Sequence, residues 1–419
     1  MRKFIVGIST SILLLFGCGH DDSLIPQPFG GIRTDRHSVD LPPDSPPKNF
    51  SVLYSFRGPT DGSNPLGSLV RDAAGNLYGT TDGGGAQQDG TVFKVDPSGI
   101  ETILLSFDVT DGLGPQAGLV LDTAGNLYGT TALGGDRHNA DGVVFKLDPS
   151  GFEEMLHSFS GPDGNDLRAG LVRDSSGILY GTSYAGGSSQ NCFGGCGVVF
   201  KIDSNGIETV LHSFNGTDGK YPVASLIRDT GGNLYGTTLR GGSSACYDGC
   251  GIVIKINKTG KEIVLHRFNR MDGEYPQAGL VLDAGGNLYG TTIGGGPQHA
   301  ALANGRGLVF KIEPGGKETV LHSFSGIDGE YPFATLVQDA TGNLYGTTSE
   351  GGSGVCYGFG CGVVFKLDSH GTETILHNFN GSDGDSPEAA LIRDSAGNLY
   401  GTTVAGGSSN FGVVFKLTH

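Results

Sequence analysis

One seven-residue phrase, Gly75-Asn76-Leu77-Tyr78-Gly79-Thr80-Thr81, returns along the whole chain. Its Tyr recurs at Tyr128, Tyr180, Tyr235, Tyr289, Tyr345 and Tyr400, at spacings of 50, 52, 55, 54, 56 and 55 residues. Only the third copy departs, as Ile178-Leu179-Tyr180-Gly181-Thr182-Ser183. A unit of this size cannot bury an apolar face alone and must pack on copies of itself. Seven such units therefore fix the architecture before any other feature is read.

Each repeat holds four short strand candidates separated by turn chemistry. In the fourth copy strand a is 224–228, strand b 233–238, strand c 251–256 and strand d 262–268. The a–b turn, Asp229-Thr230-Gly231-Gly232, and the c–d turn, Asn257-Lys258-Thr259-Gly260, are tight hairpin turns. Four antiparallel strands repeated seven times predict an all-β, seven-bladed β-propeller. The region opens on Ser51-Val52-Leu53-Tyr54-Ser55-Phe56, a strand d with no blade before it. It closes on Gly412-Val413-Val414-Phe415-Lys416-Leu417, a strand c with no strand d after it. The first strand is expected to complete the seventh blade, so that no edge stays open.

Composition agrees. Gly contributes 75 of 419 residues, too many for helix interiors, and with no three-residue period that would suggest collagen. The formal charge of −16 disfavours a nucleic-acid partner.

The phrase Gly397-Asn398-Leu399-Tyr400-Gly401-Thr402-Thr403, followed by Gly412-Val413-Val414-Phe415-Lys416, resembles the GloVer tandem repeat of extracellular bacterial proteins. The resemblance covers about 370 residues, essentially all of the chain past residue 48. It implies surface anchoring and no established reaction.

Arg2 and Lys3 precede an apolar run of 13 residues, Phe4 to Phe16, of signal-peptide length. The run ends in Leu15-Phe16-Gly17-Cys18, which resembles the bacterial lipoprotein cleavage box. The expected organisation is a signal peptide over 1–17, lipidated Cys18 and a Pro-rich flexible tether over 18–48, and the propeller over 49–419. Cleavage removes two positive charges and takes −16 to −18. Gly19 after the Cys favours the outer membrane or cell surface over the inner membrane, and the lipid is the one expected membrane contact.

Repeated side chains read first as scaffold. Asp61, Asp111, Asp163, Asp218, Asp272, Asp328 and Asp383 recur in the d–a connection. Their oxygens suit Ca²⁺, as the Cys pairs of blades three and four could suit Zn²⁺. Presence in every blade favours instead an Asx-turn in which each carboxylate bonds its own loop backbone, and no cofactor is expected. Asp72, Asp122, Asp174, Asp229, Asp283, Asp339 and Asp394 recur in the a–b turn in the same way. His157, His212, His266, His322 and His377 share one position of the outermost strand, with Tyr54 and Leu105 in the other two copies. These imidazoles do not converge on each other, so hydrogen bonding or packing is expected and no metal. Lys94 and its six equivalents are expected to pair with acids. Cys192 with Cys196, Cys246 with Cys250 and Cys356 with Cys361 are read as three loop-stapling disulfides.

Departures from the repeat point to a site. The b–c loops run 9, 11, 14, 13, 15, 14 and 9 residues, longest in blades three to six. Tyr221, Tyr275 and Tyr331 enter blades four, five and six, where the other blades have Asn64, Gly114, Asp166 and Ser386. Both asymmetries fall on the face that carries the b–c and d–a loops. An exposed aromatic shelf is expected there, beside Lys220, Glu274 and Glu330 and walled by Phe193, Tyr247 and Tyr357. The favoured function is a monomeric surface-anchored binding or adhesion module for an extracellular polysaccharide or protein, with a neutral or amino-bearing glycan preferred. The alternative is an extracellular propeller lyase or hydrolase. No Gly-x-Ser-x-Gly elbow or His-Glu-x-x-His motif marks catalysis, and no catalytic residue is assigned.

Overall fold

The computed structural model describes residues 49–135, 141–296, 305–356 and 358–418. They contain 28 strands and no helix. The expected signal peptide, Cys18 and the tether lie outside the described residues.

Blade one is β2 (Val70–Arg71), β3 (Leu77–Thr81), β4 (Thr91–Val95) and β5 (Glu101–Ser106), hydrogen-bonded in that order. Five more sheets repeat it. The seventh joins the two ends of the chain: β26 (Ile392–Arg393), β27 (Leu399–Thr403) and β28 (Val413–Leu417) are completed by β1 (Phe50–Ser55). Phe50 pairs with Leu417 and Ser55 with Val413 in an antiparallel register. The ring is closed by its own first strand.

The repeated phrase is a set of scaffold parts. In blade one, Asn76 donates its backbone N–H and side-chain amide to Asp72, at 2.8 and 2.6 Å, and the Tyr78 hydroxyl donates to the same carboxylate at 3.0 Å. One carboxylate thus ties the a–b turn to strand b. Gly79 is required because a Cβ there would lie 2.6 Å from the Phe93 ring. Thr80 donates across to the Ala117 carbonyl of the next blade at 2.9 Å, and Thr402 closes the ring by donating to the Pro65 carbonyl, two positions earlier in its loop, at 3.0 Å. Phe at the end of one strand d meets Phe of the next strand c edge-on, as Phe56 does Phe93 at 5.0 Å. The core is thus a ring of inter-blade seams.

Three expectations need correction in detail. Strand a of blade four is two residues, Ile227–Arg228, rather than 224–228. The Ala224 carbonyl is taken by Thr182 of the preceding blade at 3.2 Å, so the segment bonds sideways instead of extending its ladder. The d–a Asp residues bond backwards, to the residue that opens the loop, as in Ser160 N–H to Asp163 at 2.9 Å. Among the repeated Lys, Lys146 pairs with Glu154 at 3.0 Å. Lys255, Lys366 and Lys416 instead lie over the rings of Tyr235, Tyr345 and Tyr400. Each of those pairs is directly cross-strand, which places the ammonium on the aromatic face.

Candidate binding face

The d–a and b–c loops share one face and are bonded to each other. Single antiparallel bridges join Lys220 to Arg240, Glu274 to Gly294 and Glu330 to Glu350. The next residue of each d–a loop reaches back to the preceding blade. Tyr221 N–H donates to the Cys196 carbonyl at 2.9 Å, Tyr275 to Cys250 at 2.9 Å and Tyr331 to Arg306 at 3.0 Å. The three expected disulfides form, and two of them end on these acceptors.

This geometry demands a left-handed backbone in every blade. Asn64, Gly114, Asp166 and Ser386 have φ of 57°, 65°, 60° and 56°. Gly, Asn and Asp tolerate that region, whereas Ser and Tyr do so less readily. Tyr221, Tyr275 and Tyr331 adopt it all the same, at 59°, 59° and 58°. A bulky residue in a strained conformation at three successive positions marks functional candidates.

Their rings are half-buried, neither free on the surface nor sealed between blades. Tyr221 stacks on Tyr184 with centroids 4.7 Å apart. Arg168, held by both oxygens of Asp166, covers Tyr184 at 4.2 Å. Arg240 lies 5.0 Å from the Tyr275 centroid, and Lys220 5.3 Å from that of Tyr221. Cations and aromatic rings are thus interleaved along this arc.

The charged residues expected beside an exposed shelf lie beneath it. Glu274 is 1% exposed, and Lys220 and Glu330 are each 8% exposed. The bridge that precedes each Tyr tucks these side chains under the loop, where Lys220 pairs with Asp248 and Glu330 with Arg306. Arg270 approaches Glu274 at 3.6 Å. Burial nevertheless pushes Glu274 up to about 7, against the pull of Arg270 and Arg240. Tyr247 and Phe193 are exposed on the b–c loops. Tyr357 lies outside the described residues. A groove of about 900 Å³ opens beside Tyr247, lined by Asn191, Asn215, Thr217, Lys220, Ala245 and Cys246.

Sequence reading missed a further group. Two positions past each left-handed residue stand Leu66, Gln116, Arg168, Val223, Gln277, Phe333 and Glu388. All seven are half-buried on the segment that leads into strand a of their blades. A position that varies this much in a strict repeat is not scaffold, and that signal was available. Burial, then the charge of Glu350, pushes Glu388 up to about 7. Burial with Glu330 and Asp385 does the same for Glu350. Asp82, bonded by Gln116 at 3.1 Å, is raised by burial as well. One arc of the face is therefore aromatic and cationic, while blades six, seven and one contribute carboxylates that hold protons easily.

Residues 41–248, 136–357 and 248–419 each match the sequence profile of the Gloeobacter/Verrucomicrobia repeat. No curated relative matches the chain. Among solved structures it is similar to the extracellular domain of a protein termed a hybrid two-component system of B. thetaiotaomicron, at 14% identity and TM-score 0.55 over 90% of this chain and 41% of that one. A second, termed a one-component system of the same organism, aligns at 11% identity and TM-score 0.56 over 88% and 40%. The chain thus spans about two fifths of those structures. At such identities the likeness is one of fold.

Proposed function

This chain belongs to the Gloeobacter/Verrucomicrobia repeat family, and from the geometry of its loop face we propose that it is a surface-anchored binding module for an extracellular polysaccharide or protein. The observation that carries the reading is the run of Tyr221, Tyr275 and Tyr331 in left-handed conformation. Nothing in the scaffold needs Tyr there, since Asn64, Gly114, Asp166 and Ser386 make the same turn. Flat rings interleaved with cations suit sugar faces and hydroxyls, and a rigid aromatic costs little conformational entropy on binding. A protein ligand would use the same rings as anchors. The three disulfides fit an exported protein. Lipidated Cys18 would supply the anchor, at the outer membrane or cell surface.

An array of neutral, amino-bearing and anionic glycans together with matrix proteins, probed with residues 48–419, tests this. Retention of neutral or amino-bearing glycans is expected. Hits confined to proteins would move the ligand class, and a blank array would remove the reading. The neighbouring carboxylates Glu350 and Glu388 favour a second reading, a polymer lyase or hydrolase with Glu388 as the proton donor. Glu388→Gln would then abolish polymer cleavage while leaving retention intact.

A further inference from the structure

The seam between blades two and three brings together an imidazole and two carboxylates. His157 lies on strand d of blade two, Asp163 in the loop that follows, and Glu208 opens strand d of blade three. One ligand atom of each lies within 4.8 Å of the others. His157 Nε2 is 2.9 Å from Asp163 Oδ2. The other Asp163 oxygen accepts the Ser160 N–H at 2.9 Å, which fixes the carboxylate. The imidazole sits edge-on to Phe159 at 4.6 Å, which fixes the ring. Glu208 Oε1 is shut off from solvent and has no hydrogen-bond donor. A sequestered carboxyl oxygen without a donor, beside a second carboxylate, is a position that a bound cation can fill.

We propose that His157, Asp163 and Glu208 form a divalent transition-metal site, with Zn²⁺ as the ion, that clamps blade two to blade three. One imidazole and two carboxylates with an open fourth position are a donor set that Zn²⁺ accepts, whereas Ca²⁺ prefers an all-oxygen shell. The Ser160 bond and the Phe159 contact are the outer support that such ligands normally carry. Its ligands come from strand d and the d–a loop of blade two and from strand d of blade three, so the ion acts on cohesion of the ring.

The chain contains its own controls. The same residue types recur at the equivalent positions as His212, Asp218 and Glu262, as His266, Asp272 and Glu318, and as His322, Asp328 and Glu373, with His–Asp distances of 3.3, 3.3 and 3.1 Å. In each, the Glu again has a buried, unpartnered Oε1. Among these four sets, however, the ligand atoms of all three groups converge within 4.8 Å only at His157, Asp163 and Glu208. Elsewhere one ligand is replaced. Leu105 or Tyr54 takes the His position, and Phe50 takes the Glu position and stacks on His377 at 3.8 Å. Leu at the His position is therefore compatible with this fold.

The test uses purified full-length chain with any affinity tag removed, dialysed against Zn²⁺ and then metal-free buffer, with metal counted by mass spectrometry. Wild type should retain Zn²⁺, and His157→Leu and Glu208→Gln should each retain one equivalent less. Zn²⁺ should also raise the melting temperature of wild type more than that of His157→Leu, as mass action requires of an ion that binds the folded form. Circular dichroism confirms that both variants fold. Wild type without retained Zn²⁺, or equal stoichiometry in wild type and both variants, would overturn the proposal.

Discussion

Tyr221 donates its backbone N–H to the carbonyl of Cys196 at 2.9 Å, so the stapled loop of blade three holds the aromatic residue that opens blade four. The same link joins Tyr275 to Cys250. These two disulfides are thus tied to the proposed site as well as to the scaffold. Cys192→Ser with Cys196→Ser should lower stability by about 2 kcal/mol, the chain-entropy value for a short loop. It should also weaken retention on any array hit. A urea titration and a repeat of the array check both effects. Unchanged retention would separate the bridge from the site.

Closure gives the second prediction. Phe50 stacks on His377 and packs against Phe415 at 5.6 Å, while β1 covers the edge of β28. A chain starting at residue 57 should aggregate or melt far below one starting at residue 48, because it leaves an unpaired strand edge and a bare aromatic seam. Equal melting temperatures would contradict closure by β1.

Acid–base behaviour gives the third. Burial, with a neighbouring Asp charge, pushes Glu101 and Glu153 up to about 7 from an ordinary 4.5. Glu350 and Glu388 rise to the same value. The folded state therefore binds protons that the unfolded chain releases. This contribution to stability is complete below the ordinary carboxylate range and is lost as pH rises through about 7. The a–b turn Asp residues run the other way. Burial alone would raise Asp72 and Asp122, but bonds from Asn76 and Asn126 outweigh it and hold them low. Their contribution is present above the ordinary range and is lost on acidification. The urea midpoint, measured with a chelator present, should be higher near about pH 5 than near about pH 8. A midpoint that rises between the two would contradict this assignment.

For the anchor, Cys18→Ser should move the protein from the membrane pellet to the soluble fraction, because a single lipidated residue is the proposed attachment. A variant that still pellets would place envelope binding in the tether or the propeller.

Much of the ring was legible in the sequence because its determinants are local and repeated. Asp72, Asn76 and Tyr78 lie within one turn, and their spacing recurs in all seven copies. The Cys pairs are four or five residues apart, and the complementary ends announced closure. What escaped depends on contacts between blades. Burial of Glu274 follows from its bridge to Gly294, some twenty residues on, and hydropathy gives no hint of it. The cluster of His157, Asp163 and Glu208 spans two blades, and comparing equivalent His residues with each other hid it. The pairing of Tyr184 with Tyr221 joins a strand-b end to the next d–a loop in the same way.

The three left-handed Tyr residues are proposed to bind the ligand, and one variant tests this directly. Tyr221→Asn, Tyr275→Asn and Tyr331→Asn together install the residue that Asn64 already uses at this turn, so the backbone is kept and the rings are removed. The triple variant should melt close to wild type and lose at least tenfold in affinity for the ligand that the array identifies, a difference of about 1.4 kcal/mol. Wild-type affinity in a folded triple variant would contradict the account and place the binding surface elsewhere on the ring.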